Sequence, residues 1–326
     1  MIKIAHFMVL ASVLACPLTA YASNETWVSH TGSDNNTCFT PSAPCKTLSV
    51  ALGQTSPGGQ INVMDSGDFG PVIITQSVSI VNATSGTATN LGQYQTVLTQ
   101  PLIGSIIIVA GTNGVVTVRG FVLNGLDFQN NVVGVLINNA SQVNIENCLL
   151  LNNGGAGIYV SPSLDGESQT LATSINVNIQ DSTITGNGAG IKIAPMTTTP
   201  INVVIDKARI NNNSGGGLRV DGTSGANIAV SVSDSSLSLN KDNGVIALSG
   251  AGGVMVNLTR DIIASNGQNG IEASGGNTAV LVDNTSILNN ATAALSTVSS
   301  GRLLTYQNNR VVGALGSGFT GTAAPQ

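Results

Sequence analysis

From about residue 115 onward, apolar and polar side chains alternate in short bursts, and the bursts recur at a nearly fixed distance. The apolar residues Val118, Ile145, Ile179, Ile205, Val232, Leu258, Val282 and Tyr306 are 27, 34, 26, 27, 26, 24 and 24 residues apart. A second apolar residue follows each: 13 on in Ile158, Leu218, Val245, Ile271, Leu295 and Phe319, 12 on in Ile191 and 17 on in Val135. Alternation of period two is strand periodicity. A repeat in the twenties is a solenoid, because one unit cannot bury its apolar face until neighbours stack on it. Three short strands per rung, cornered by Asn, Asp and Gly, predict about ten rungs and a rod on the order of 45 Å long at the usual strand spacing.

Composition narrows the architecture. Charged residues make up 8% and aromatics 3%, while 39 glycines and many Asn, Ser, Thr, Val and Ile fill the chain. Segments rich in Glu, Lys and Leu, which the helices of an α/β enzyme need, are missing. A net charge of -5, with eleven scattered cations, argues against nucleic acid.

Residues 1–22 read as an export signal, with Lys3, an apolar stretch over 4–15 and a small-residue cut after Ala22. A lipoprotein signal ending at Cys16 is the competing reading, with Leu14 and Pro17 poorly placed for it. No apolar run beyond it reaches the ~18 residues of a membrane span. In an exported chain, Cys38 and Cys45, which flank a proline-containing loop, are expected to form a disulfide. Cys148 falls at an inward position shared with Ser182, Ala208 and Ser235, where a small buried thiol suffices. Ahead of the repeats, residues 47–52 place Leu48, Ala51 and Leu52 on one helical face, suited to closing the open end of the coil.

The run WVSHTGSDNNTCFTPSAPCKTLSVAL, followed by PGGQINVMDSGDFGPVIITQSVSIV, resembles the cap and first rungs of exported bacterial proteins with the pectin lyase-like fold. The later N-G-x-G-I copies are similar to the right-handed β-helix repeat. The fold implied is an all-β, single-stranded, right-handed parallel β-helix with a short N-terminal capping helix. Its parts are a signal at 1–22, a cap at 23–60, the β-helix at 61–320 and a tail at 321–326. That superfamily holds lyases, hydrolases and proteins without activity, so the resemblance implies a fold and no reaction. The Asn-Thr-Asp, Asp-Asp, Gly-His-Gly and Arg-Ile-Lys motifs of its galacturonan hydrolases do not occur. Ca²⁺ would enter only through likeness to pectate lyases, whose acidic cluster has no counterpart; no cofactor or metal is implied otherwise.

Equivalent positions on stacked rungs form outward stripes. One comprises Arg119, Glu146, Gln180, Asp206, Ser233, Thr259, Asp283 and Gln307. In it Arg119 and Glu146 form a surface ion pair, or Glu146 and Asp206, ~9.6 Å apart by rung spacing, serve as acid and base of an inverting hydrolase. The other comprises Leu136, Tyr159, Lys192, Arg219, Ile246, Glu272, Ser296 and Thr320. Here like charges at Lys192 and Arg219 are neighbours, beside the insertion at 161–174. Tyr159, Lys192 and Arg219, bordered by Asp165 and Glu167, form a platform for an acidic sugar, or else a solvated face. The column Asn153, Asn187, Asn213, Asn240, Asn266 and Asn290 is expected to be structural, with left-handed backbone and hydrogen bonds between stacked neighbours. Two function classes follow. The favoured one is a monomeric, secreted, periplasmic or surface-displayed rod that binds polysaccharide or is structural. The alternative is a lyase or hydrolase acting on an acidic glycan, with Glu146, Asp206, Lys192 or Arg219 as catalytic candidates.

Overall fold

The bursts become parallel strands stacked rung on rung. The computed structural model describes residues 22–82, 88–91, 103–126, 132–163 and 170–323. Among them, a twelve-stranded parallel sheet forms one face, from Ser23–Val28 to Gly321–Thr322. A nine-stranded sheet, from Val72–Ile74 to Ala293–Val298, forms another. The third face is narrow, with six strands and then three. Between those two groups the ladder thins to single bridges on Ser236, which joins Arg209 on one side and Ile262 on the other. Eleven steps along the longest sheet, at about 4.8 Å each, give a rod of roughly 53 Å, longer than the ten-rung expectation.

The register follows the predicted anchors. Val118, Ile145, Ile179, Ile205, Val232, Leu258 and Val282 pair in series, and all are buried. So do Val135, Ile158, Ile191, Leu218, Val245, Ile271 and Leu295 on the nine-stranded sheet. Each such side chain contributes about 1.5–3 kcal/mol by leaving water. The last rung departs from the expectation. Val282 pairs with Thr305, so Tyr306 points outward, and Leu295 bridges to Gly316 rather than Phe319. Thr320 leaves the outward stripe altogether, donating to and accepting from Leu303.

Both ends of the first sheet reach beyond the 61–320 span. Ser23–Val28 pairs with Thr55–Val63, so the sequence boundary at 61 falls inside a strand, and Gly321–Thr322 pairs with Arg302–Thr305. The helix Leu48–Gln54 starts at Thr47, whose hydroxyl accepts from the Val50 amide. It buries Leu48, Ala51 and Leu52. The Cys38–Cys45 disulfide is present, and the Cys45 amide donates to Trp27 while Trp27 donates to Cys38. That loop covers the otherwise unpaired edge of Ser23–Val28.

The asparagine column is a buried ladder. From Asn153 to Asn290, the backbone N–H and Nδ2 of each residue both donate to Oδ1 of the next, at 2.8–3.1 Å. The expected stacking is there, but the left-handed residue is the one before each rung asparagine: Asn152, Gly186, Asn212, Leu239, Ser265 and Asn289. That preceding residue turns the corner and frees the asparagine side chain to point inward, where its amide groups need the ladder.

Candidate functional site in a basic groove

The strands Ala156–Val160, Ala189–Ile193 and Leu218–Gly222 lie side by side, with Tyr159, Lys192 and Arg219 in register. Because Ile158, Ile191 and Leu218 fill the coil, the next residue on each strand points out of it. The outer face is not uniformly solvated: Leu136 and Tyr159 join a second apolar cluster with Ile107, Val133 and Ala156, and Tyr159 is only 9% exposed. Lys192 Nζ sits 4.6 Å from the Tyr159 ring centroid. The ring therefore offers its face to an ammonium, which attracts it by about 0.5–2 kcal/mol. Stacking of a sugar on Tyr159, one of the expectations, requires Lys192 to swing away.

The two cations differ in commitment. Arg219 Nη2 lies 2.7 Å from Asp221 Oδ2 on the same strand. Burial works against the ionised form of Asp221, yet hydrogen bonds from Thr223 and Arg219 outweigh it and hold the carboxyl below its usual value. Lys192 has no carboxylate partner among the described residues. Asp165 and Glu167, the acids expected to border the platform, lie outside the described residues. The far end of their insertion is pinned, with Asn139 Nδ2 donating to Thr170 and the Ala172 amide to Asn139 Oδ1.

These side chains rim a groove of about 700 Å³ whose floor includes Gly155, Gly188 and Gly216 and whose far end carries Asp221 and Asp242. The floor is glycine from necessity at Gly188, where a Cβ would come 2.2 Å from the Gly154 carbonyl oxygen and 2.3 Å from that of Gly155. The volume falls in the range of about 300–1,000 Å³ common for ligand sites. One ammonium with no carboxylate partner among the described residues, one partly engaged guanidinium and flat backbone make a receptor for an anion attached to a polar body.

The other stripe gives no comparable site. Glu146, Gln180 and Asp206 are stacked as expected, but Asp206 accepts Ser233 Oγ at 2.7 Å and lies 3.7 Å from Lys207 Nζ. Arg119 and Glu146 are register partners, yet no ion pair joins them among the described residues. No three His, Cys, Asp or Glu side chains gather as metal ligands among the described residues. Cys148 is buried, and burial pushes its thiol up to about 11, a packing role.

Sequence reasoning missed two residues. Asp261 continues the inward corner column of Cys148, Ser182, Ala208 and Ser235, and three residues after the Leu258 anchor was the signal that would have found it. It is 2% exposed, its oxygens accept the Ser235 and Thr259 amides, and burial raises it to about 7. The second is Tyr306, whose spacing from Val282 predicts an inward anchor but which points outward. In RLLTYQ both parities carry apolar residues, so alternation cannot choose the register, and a slip of one residue exchanges the faces.

Comparison with known proteins bears on the fold. The family model described as right handed beta helix region matches residues 108–230 and 169–324. No curated protein matches the chain. Among solved structures, pectate lyase Pel9A is 14% identical with a TM-score of 0.50, over 94% of this chain and 80% of that one. A GH136 lacto-N-biosidase from Eubacterium ramulus is 12% identical with a TM-score of 0.43, over 89% of this chain and 68% of that one. No helix among the described residues is long and apolar enough to cross a membrane.

Proposed function

From the premise that this chain belongs to the right handed beta helix family, we propose that it is a non-catalytic, exported rod that binds acidic polysaccharide along the Lys192–Arg219 groove. The observation that carries the reading is the pair of cations held in register on adjacent strands, with the Lys192 ammonium unmatched by any described carboxylate. Like charges on neighbouring strands repel, and a ligand carboxylate between them removes the repulsion while gaining charge-assisted hydrogen bonds. Asp221, the groove acid beside Arg219, is not placed to be the proton donor of a glycosidase. Asp221 is engaged by Arg219 and Thr223 and held ionised, so it offers no proton.

The test is affinity electrophoresis of the mature chain through gels containing polygalacturonate or a neutral glucan. Retardation is expected in polygalacturonate alone, weakening with salt, and falling about tenfold in Lys192→Ala, the loss of one charge-assisted contact. Equal retardation in both gels, or none in either, sinks the proposal.

A further inference from the structure

A second concavity, of about 720 Å³, opens on the outer face of the twelve-stranded sheet, on a different face from the basic groove. It spans the strands Ile228–Ser233, Val254–Thr259 and Thr278–Asp283 and ends on Tyr306. Three rung steps of about 4.8 Å give it a length of roughly 14 Å. Met255 is 49% exposed and Tyr306 36% exposed, with the half-buried Leu281 between them on the floor. They run diagonally across the face, each one strand and two residues from the next, and apolar side chains this open on a solvated strand face mark a contact surface.

The polar rim is unspent. Ser231 Oγ, Asn257, Thr259 Oγ1 and the Tyr306 hydroxyl have no hydrogen-bond partner within the described protein. Nearer the N-terminus on the same face, polar groups satisfy one another: Asn202 donates to Asn176 Oδ1 at 3.0 Å and Asn144 to Thr117 Oγ1 at 3.2 Å. Asp283 is the charged residue of the concavity; Asn308 Nδ2 holds its Oδ1 at 2.6 Å and leaves Oδ2 open. Asn308 Oδ1 in turn accepts the Asn284 backbone amide at 3.0 Å, so both side chains are fixed in place.

We propose that this concavity is a second saccharide site, taking an uncharged pyranose whose apolar ring face packs on Tyr306 and Leu281 and whose hydroxyls bond Asp283, Asn257 and Thr259. An aromatic side chain supplies rigid apolar area with little entropy loss, and vicinal hydroxyls are donors matched to a carboxylate oxygen and a carboxamide. The negative Asp283 sets the specificity. It repels the acidic sugars the Lys192 groove is suited to, so the two sites read different residues of a mixed glycan.

Calorimetric titration of the mature chain with neutral tetrasaccharides of glucose, galactose, mannose and xylose, and with tetragalacturonate, tests this. At least one neutral tetrasaccharide is expected to bind, about tenfold more weakly in Tyr306→Ala, within about threefold of wild type in Tyr306→Phe and unchanged in Lys192→Ala. Asn257→Ala, a substitution away from the chain end, is expected to weaken it several-fold and serves if Tyr306→Ala does not fold. Binding of no neutral sugar at millimolar concentration, or binding that survives both Tyr306→Ala and Asn257→Ala, overturns the proposal. Loss of tetragalacturonate binding in Lys192→Ala concerns only the other groove, so the two readings fail separately.

Discussion

Replacing Asn213 by alanine removes the middle of the buried ladder, and the structure sets the size of the effect. Its Nδ2 donates to Ile184 at 3.3 Å and to Asn240 Oδ1 at 2.9 Å. Its Oδ1 accepts the Asn187 backbone amide at 3.0 Å and Asn187 Nδ2 at 3.1 Å. In the variant the Asn187 side chain keeps its bond to Leu150, and Asn240 keeps the Asn213 amide. The Asn187 backbone N–H is orphaned inside the rod. Four bonds lost at about 1 kcal/mol net each, with one buried donor unsatisfied at about 1–3 kcal/mol partly counted among them, give roughly 4 kcal/mol. The matching surface control, Asn202→Ala, deletes one exposed bond to Asn176 and is expected to cost under about 0.5 kcal/mol. Urea unfolding followed by circular dichroism compares the two at constant m-value. An Asn213→Ala cost below about 1 kcal/mol would refute the claim that the ladder, rather than apolar burial alone, holds the corner.

Other outcomes follow from the same contacts. Asp261 titrates near 7 folded against about 3.9 unfolded, so its ionisation opposes folding. The favourable state is complete below about pH 4 and lost as pH rises through 7, at most roughly 4 kcal/mol in all. Urea midpoints at pH 5 and 8 should therefore fall more in wild type than in Asp261→Asn, and equal slopes would contradict the burial argument. Reducing Cys38–Cys45, or Cys38→Ala with Cys45→Ala, should destabilise the cap by roughly 2 kcal/mol for so short a loop, read as faster proteolysis before residue 55. Gly188→Ala should abolish binding in the basic groove while leaving a folded rod, because its Cβ displaces the Gly154 carbonyl from the floor.

The sequence carried the fold almost entirely, since inward residues such as Ile145 and Ile158 repeat with the rung and their parity leaves no second register. It failed at the last rung, where Leu303, Leu304 and Tyr306 put apolar residues on both parities and only the Thr305 pairing decides. It placed Tyr159, Lys192 and Arg219 together, because register follows from spacing. It missed what those side chains do with one another: the ammonium over the ring and the Arg219–Asp221 pair depend on rotamers and on residues two positions along the strand. The left-handed corner fell one residue early for a similar reason, as Asn152 and Asn153 are chemically equal and only the inward ladder distinguishes them.

Binding without cleavage is what the Lys192–Arg219 groove is proposed to do. The direct measurement incubates the mature chain with immobilised and soluble polygalacturonate, with and without Ca²⁺, and follows retention and new chain ends together by mass spectrometry. Retention that disappears in Lys192→Ala combined with Arg219→Ala, with no new chain ends in any condition, is the predicted result. Unsaturated or hydrolysed fragments that vanish in the same variant would contradict it and make the groove an active site.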